Sequence, residues 1–367
     1  MNGPDDLPIT VGSATVARTA APESRTRTAL TTIAATAAVV VLLLFLWYAR
    51  DVFLLGFAGI LVAIFLRRLA TMVSDRTPLS PTWSLPLVVL ALLTLFVGAF
   101  WLQGPAIAEE VRTLRDELPQ AVTQLQDRLA RYDWGQRLIE ETPSADALLP
   151  DGPDAISRAT GVVSRTFSGL ASFVIILFLG LVLAATPRVY VRGVLALLPE
   201  HRVDRGREVL DTLSDTLWWW LVGRIVAMTF IGVTTGVGLW LLGIPLAFVL
   251  GLLAALLSFI PNIGPLLSAL PAILLAFVQG PQQALWVALL YGGVQVIESY
   301  VLDPIIDRKT VYLPPALTVF AQLALVLFAG LLGVALATPL TAALVVLVTM
   351  LYVQDVLGRR DIEVQGH

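Results

Sequence analysis

Long uncharged apolar tracts recur along this chain, for example from Trp83 to Gln103 and from Phe167 to Thr186. A membrane-spanning helix needs about 20 apolar residues, because the hydrocarbon core of a bilayer is about 30 Å thick. Only 14% of the residues are charged and 57% are hydrophobic, whereas soluble domains carry about 25% charged residues. The sequence therefore predicts an all-α, polytopic transmembrane protein whose first partner is the lipid bilayer.

Composition also excludes several functions. The net charge is -3 and no basic stripe is present, which argues against a nucleic-acid partner. The chain has no cysteine and two histidines, His201 and His367, so thiolate metal sites and cysteine nucleophiles are absent. Hydrolase, phosphate-loop and zinc-protease motifs are also missing. We predict that the protein is not an enzyme and binds no cofactor or metal.

The N-terminal part reads as a disordered cytoplasmic tail, 1–28, followed by transmembrane spans in 29–103. Leu30 to Tyr48 and Val52 to Leu66 form two apolar stretches separated by Arg50-Asp51, which predicts a tight helical hairpin. The positive-inside rule favours a cytoplasmic N-terminus because arginines flank these stretches, namely Arg18, Arg25, Arg27, Arg67, Arg68 and Arg76.

Residues 104–165 form the largest hydrophilic region, with seven arginines against eleven acidic residues. A long acidic segment is typical of an external loop. Its second half contains Pro143 and Pro150 and reads as loop. Its first half predicts an amphipathic helix on a partner or on the bilayer surface, because apolar residues recur at steps of three and four: Val111, Leu114, Leu118, Val122, Leu125 and Leu129.

The remainder divides into a fourth span with a cytoplasmic segment (166–217), a transmembrane transport region (218–353) and a cytoplasmic tail (354–367). Breaks such as Gly243-Ile244-Pro245 cut the transport region into pieces of about 14 to 16 residues, which favours re-entrant half-helices beside full crossings. The apolar tract from Ala316 to Val353 must reverse near Ala329-Gly330 or Gly333. We expect about eight spans, an inner-membrane location and both termini in the cytoplasm.

The segment Pro261-Asn262-Ile263-Gly264-Pro265 is the first candidate for a transport site. Two prolines leave carbonyl groups free, Gly264 allows close approach, and Asn262 offers both a donor and an acceptor to a polar solute. Discontinuous helices at membrane depth are where transporters build such sites. The alternative is a tight loop at the membrane surface that only connects two helices.

Glu298 is the second candidate, since a carboxylate within an apolar run is costly in lipid and indicates a polar pathway. Gln295, Ser299 and Asp303 lie close to it in sequence, on a helical face shared with Tyr291. This stripe suits a water-filled cavity in which Glu298 exchanges a proton or Na⁺. The alternative places Glu298 at the membrane interface, paired with an arginine for structural reasons.

Arg224 follows Trp218-Trp219-Trp220 and, with Glu298, is one of two charged residues between Trp218 and Leu302. The tryptophans favour an aromatic belt, with Arg224 extending to the cytoplasmic interface. The alternative pairs Arg224 with Glu298 or with an anionic solute. The nearby glycines indicate close helix packing: they are Gly232, Gly236 and Gly238.

The C-terminal half resembles the autoinducer-2 exporter (PerM-like permease) family of membrane transporters. Gly243-Ile244-Pro245 followed by Ile260 to Pro265 matches the Gly-x-Pro and Ile-Pro-x-Ile-Gly-Pro pattern of that family. Ser299 and Pro314-Pro315 depart from it, where many members carry Asn and His-Pro. Further matches are Val294 to Glu298, Asp303 to Ile306, Val311 to Pro315, Gly330, Gly333 and Pro339-Leu340.

The resemblance implies a homo-oligomeric transporter of the cytoplasmic membrane. Members are associated with export of autoinducer-2, and some resemble Na⁺/H⁺ antiporters. Our main hypothesis is export of a small, polar, autoinducer-2-like solute through the Pro261 to Pro265 turn and the helix from Gln295 to Asp303. Na⁺/H⁺ exchange and a non-transporting membrane scaffold are the alternatives.

Overall fold

The computed structural model describes residues 23–78, 80–130, 155–307, 310–311 and 313–359, with side chains described from residue 48 apart from 81–82, 127–129, 155–168 and 307. These ranges are helical and contain no strand, which confirms the all-α prediction. Two π-helical turns, Glu298–Leu302 and Val348–Gln354, interrupt the helices. The helices are α1 (Glu23–Arg76), α2 (Pro81–Leu129), α3 (Ala155–Ala185), α4 (Pro187–Leu195), α5 (Val203–Leu241), α6 (Ala247–Leu257), α7 (Ile263–Gln279), α8 (Pro281–Ile297), α9 (Asp303–Asp307) and α10 (Pro315–Leu347).

The chain forms two compact units, Met1–Arg50 and Asp51–His367. Side-chain packing is described in the second unit. The predicted tail lies almost entirely outside the described residues, which begin at residue 23. The predicted hairpin at Arg50-Asp51 is wrong, because both residues lie inside α1. Neither is a glycine or a proline, and arginine is a good helix former, so this polar pair does not break a helix.

Several helices can cross a membrane. Among the residues with described side chains, five helices are long and apolar enough, and six if α3 and α4, which meet at an angle of 81°, count as one broken span. The expected number of about eight also included Leu30 to Tyr48, whose side chains lie almost wholly outside the described residues, and two crossings within Ala316 to Val353. Large apolar side chains cover the outside of these helices, as lipid contact requires.

The helix α2 continues without interruption from the predicted third span into the predicted amphipathic segment. Leu114 packs against the hydrophobic core of the C-terminal half, and Ala121 is 1% exposed within that core. This part of α2, with Leu114 of the stripe, therefore faces α6 and α7 of the same chain, where the sequence predicted a partner or the bilayer surface. Residues 131–154, which include the predicted loop, lie outside the described ranges, and α3 already begins at Ala155.

The helices α5 and α6 lie against each other along small residues. A Cβ atom on Gly232 would lie 2.7 Å from the Cβ of Ala255, and one on Gly251 would lie 2.7 Å from the Cα of Gly236. The structural interpretation of these glycines is thereby confirmed. Since Ala247 lies near Gly236 while Ala255 lies near Gly232, α6 runs antiparallel to α5.

The helices α6 and α7 are short apolar helices, where the sequence predicts re-entrant half-helices beside full crossings. They contain 11 and 17 residues, and an 11-residue helix extends only about 17 Å, roughly half of the hydrocarbon core. The chain enters α6 after Leu246, which has a φ of 60°. A positive φ is uncommon for residues other than glycine. Gln283 donates a hydrogen bond to the carbonyl of Leu242 and so ties this entrance to α8.

The N-terminus of α6 is capped by a residue far away in sequence. The backbone N–H of Val249 donates to Oε2 of Glu110 at 3.1 Å, and the N-cap residue Leu246 has no side-chain acceptor. Glu110→Ala is expected to lower the free energy of unfolding by about 1 kcal/mol, the usual effect of losing a helix cap.

Thermal unfolding in detergent measures this effect, with Glu109→Ala as the matched control. Glu109 is exposed and pairs only loosely with Arg112, at 3.7 Å, so its loss should change stability by less than about 0.5 kcal/mol. Equal destabilisation by the two variants would contradict a capping role for Glu110.

The helix α10 reverses direction within the C-terminal apolar tract. Ala329 and Gly330 leave the helical conformation, and Gly330 has a φ of 59°. A Cβ atom on Gly333 would contact the carbonyl of Leu325, although eight residues of straight helix would separate the two by about 12 Å. The chain therefore turns back at Ala329-Gly330, one of the two predicted places.

Candidate functional site

The turn between α6 and α7 contains a strained backbone. Asn262 has a φ of 66° and a ψ of −43°, and the N–H of Ile263 donates to the carbonyl of Pro261 at 2.8 Å. These values describe a γ-turn with positive φ, which is rare because its backbone is strained. The side chain of Asn262 is exposed at the tip of this turn.

The turn approaches the preceding helix too closely for any side chain at Gly264. A Cβ atom there would collide with the carbonyl of Leu257, so only glycine fits. Pro265 follows in the first turn of α7, and its carbonyl accepts a hydrogen bond from the Ser268 hydroxyl at 3.0 Å. The Ser268 carbonyl in turn accepts from the Tyr291 hydroxyl, at 3.3 Å, which joins α7 to α8.

Two contacts from other helices hold the turn. The ring of Phe259 lies edge-on to Trp220 of α5, with 5.9 Å between ring centroids. The side chain of Gln322, on α10, donates from Nε2 to the Pro261 carbonyl at 3.0 Å. The turn is therefore packed between α5 and α10.

Arg224 and Glu298 form a buried ion pair. Nη1 of Arg224 lies 3.5 Å from Oε1 of Glu298, and the two residues are 5% and 3% exposed. The residues Gly223 and Gly238 of α5 contact Ile306 and Leu290 respectively, on either side of Glu298 along the chain. Glu298 therefore lies between these two contacts along the helices, within their apolar part.

The interface interpretation of Arg224 is wrong. Trp218 and Trp220 are buried at 5% and 7% exposure, so they do not form an aromatic belt, and Arg224 points inward to Glu298. One face of α5 packs against the other helices, and it presents Trp220 and Arg224, four residues apart, to the same interior. The pairing with Glu298 that the sequence left as an alternative is confirmed.

The residues around Glu298 lie on a π-helical turn, Glu298–Leu302, of a kind often found at functional sites. Asp303 begins α9, is half-buried and interacts electrostatically with both Arg224 and Glu298. Gln295 is half-buried and donates to the Ser299 hydroxyl at 3.3 Å. Ser299 itself is exposed, so the predicted shared face divides into a buried part with Glu298 and Tyr291 and an outer part with Ser299.

The ion pair leaves three polar atoms unsatisfied. Nε and Nη2 of Arg224 and Oε2 of Glu298 are buried without a hydrogen-bond partner among the described residues. The same guanidinium edge is filled at Arg205, whose Nε donates to Oδ2 of Asp355 at 3.3 Å and whose Nη2 lies 3.1 Å from Oδ1 of the same carboxylate. Buried polar groups are nearly always paired, so the open edge of Arg224 is an unusual feature of this interior.

Within the described ranges, no group of three or more His, Asp or Glu side chains could hold a metal ion. Among the described residues, Arg224 and Glu298 are the charged side chains that are buried in the helical interior. Sequence reasoning missed Gln322, which sits in the long apolar tract of α10 as its single amide. A single amide within a long apolar tract is a signal in the sequence that could have identified Gln322 as a buried polar residue.

The fold is that of a multi-pass α-helical membrane protein. The family model described as AI-2E family transporter matches residues 36–352, and the chain therefore belongs to the AI-2E transporter family.

Individual relatives are distant. YueF of Bacillus subtilis (strain 168), described provisionally as a transport protein, is 24% identical over 297 residues, which cover 78% of this chain and 80% of YueF. The AI-2 transport protein TqsA of Escherichia coli (strain K12) is 26% identical over 269 residues, which cover 71% of this chain and 76% of TqsA.

Proposed function

We propose that this transporter moves a small polar solute resembling autoinducer-2 out of the cell, across the inner membrane, with both termini in the cytoplasm. The open donors of Arg224 and the open acceptor of Glu298 support this proposal most directly. A neutral solute with several hydroxyl groups can accept from the first and donate to the second. Such a neutral solute also adds no charge to the ion pair, whose positive and negative charges already balance.

The turn from Pro261 to Pro265 supplies the second part of the proposed pathway. Non-helical backbone is tolerated at membrane depth where protein buries it or where it lines a polar cavity. Asn262 lies exposed at its tip, and Phe259 contacts α5 one helical turn before Arg224. In this proposal, a solute passing the turn meets the amide of Asn262, which offers both a donor and an acceptor. The name of TqsA adds support for autoinducer-2 as the solute.

The charges of the cluster favour Na⁺/H⁺ exchange as a second candidate. Glu298 and Asp303 together oppose the single guanidinium of Arg224, so the ionised cluster carries one net negative charge. A proton or a Na⁺ ion would neutralise it, and intramembrane carboxylates commonly serve such exchange. A homo-oligomeric assembly stays a prediction under either function.

Release of labelled autoinducer-2 from proteoliposomes tests the proposal, with and without an imposed Na⁺ or H⁺ gradient. Protein-dependent release is the expected result, and its response to the gradients identifies the coupling ion. A Na⁺-driven change of internal pH without release of autoinducer-2 would support cation exchange. The absence of both fluxes from correctly inserted protein would contradict both and favour the scaffold hypothesis.

Glu298→Gln is expected to lower the flux or to remove its pH dependence, because the amide keeps the size of the side chain but cannot ionise. Initial rates between about pH 5 and pH 9 measure the effect, with equal membrane insertion checked for each variant. Glu109→Gln removes an exposed carboxylate and is the matched control. A pH profile of Glu298→Gln identical to that of the unchanged protein would rule out the proposed role.

A further inference from the structure

Gln322 is a polar residue buried on the first arm of α10, and the transport site described above leaves its role unassigned. It is 1% exposed. Its Nε2 atom donates to the Pro261 carbonyl at 3.0 Å, while Oε1 is buried without a partner among the described residues. An amide in an apolar interior is costly. The hydrogen bond from Gln322 to the Pro261 carbonyl offsets part of this cost.

The Pro261 carbonyl accepts two hydrogen bonds at once. One comes from the Ile263 N–H and closes the γ-turn, and the other comes from Gln322. Strained backbone conformations persist only where surrounding contacts hold them. Because Gln322 reaches the turn from a helix 61 positions along the chain, it holds the turn from outside.

The arm that carries Gln322 ends at the reversal at Ala329-Gly330. The bond therefore joins two irregular parts of the transport region, the strained turn and the reversing helix. Glycine residues and other non-helical positions are where helices can pivot in a conformational change. A shift of the arm would release Pro261 and allow Asn262 to relax from its positive φ.

We propose that Gln322 is a positioning residue of the transport site, which holds the turn from Pro261 to Pro265 in its solute-binding shape. This inference rests on the proposed function, since it assigns to the turn a part in solute binding. Two consequences follow. Loss of the bond loosens the turn even without solute, and it weakens solute binding more than it slows the maximal transport rate.

The first test measures the turn directly and needs no solute. The natural chain contains no cysteine, so Ile260→Cys introduces a unique thiol next to the turn, at a position that is 6% exposed and that a reagent reaches only when the turn opens. In that background, Gln322→Met is expected to raise the rate of alkylation by a polar maleimide about fivefold, the shift produced by losing one ordinary hydrogen bond. Gln322→His, whose Nε2–H can still donate, should stay near the original rate.

Thr318→Val is the matched control, since Thr318 lies one turn earlier on the same helix and its hydroxyl bonds only to the carbonyl of Pro314, at 3.5 Å. It should leave alkylation unchanged. An unchanged rate in Gln322→Met, or the same increase in Thr318→Val or Gln322→His, would overturn the inference.

The second test separates this inference from the proposed function. Release of labelled autoinducer-2 at a series of internal concentrations should show a half-saturating concentration about fivefold higher for Gln322→Met, with the maximal rate within about twofold. Faster alkylation of Gln322→Met, with no release by the unchanged protein, would support the hydrogen bond from Gln322 to the turn. It would contradict the proposed function. A lower maximal rate at an unchanged half-saturating concentration would contradict the positioning role.

Discussion

Arg224→Met is expected to destabilise the protein by about 3–5 kcal/mol, because it leaves the Glu298 carboxylate buried without its partner. The size of the effect follows from the burial of both residues, at 5% and 3% exposure. Adding Glu298→Leu to this variant should restore most of the stability, since a buried ion pair can be replaced by apolar residues at little cost. Thermal unfolding in detergent measures both steps.

The double variant separates a structural pair from a functional one. A pair that only holds α5 to the π-helical turn after α8 would leave transport intact once stability is restored. We expect transport to stay absent, because the replaced side chains no longer offer the open donors and acceptor. Arg205→Met is a useful comparison, since Arg205 lies on the same helix but is partly exposed and paired with Asp355 and Glu208.

Gly264→Ala is expected to destabilise the protein by about 3 kcal/mol, because the added methyl group collides with the backbone carbonyl of Leu257. A backbone atom cannot move aside as a flexible side chain can, so the turn between α6 and α7 must open. The variant should therefore lose transport as well as stability. Thermal unfolding and autoinducer-2 release measure the two effects.

The control for this variant is Gly292→Ala, within α8. A Cβ atom at Gly292 would meet nothing within 4 Å, so the substitution should leave stability unchanged or raise it by about 0.5–1 kcal/mol through better helix propensity. Similar losses in the two variants would mean that the close approach at Gly264 is not what fixes the turn.

The helix breaks of the transport region could be predicted from sequence because glycine and proline act locally. The turn at Pro261 to Pro265, the ends of α6 and the reversal at Ala329-Gly330 all lie where these residues break the apolar pattern. Polarity alone was a weaker guide. Arg50-Asp51 indicated a turn, yet the helix α1 continues through it because neither residue is a glycine or a proline.

Long-range contacts were harder to predict. Arg224 has the sequence context of an interfacial arginine, and only Glu298, 74 positions away, shows that it is buried and paired. Gln322 contacts a carbonyl 61 positions away, and Glu110 caps a helix 139 positions away. No periodicity within one helix reports such partners, because each depends on how the helices pack.

The most direct test of the account compares autoinducer-2 release by the unchanged protein and by the folded double variant Arg224→Met with Glu298→Leu, at equal amounts of inserted protein. We predict release from vesicles with the unchanged protein and only background leakage with the variant. Equal release from both would contradict the claim that the buried pair of Arg224 and Glu298 forms the solute site.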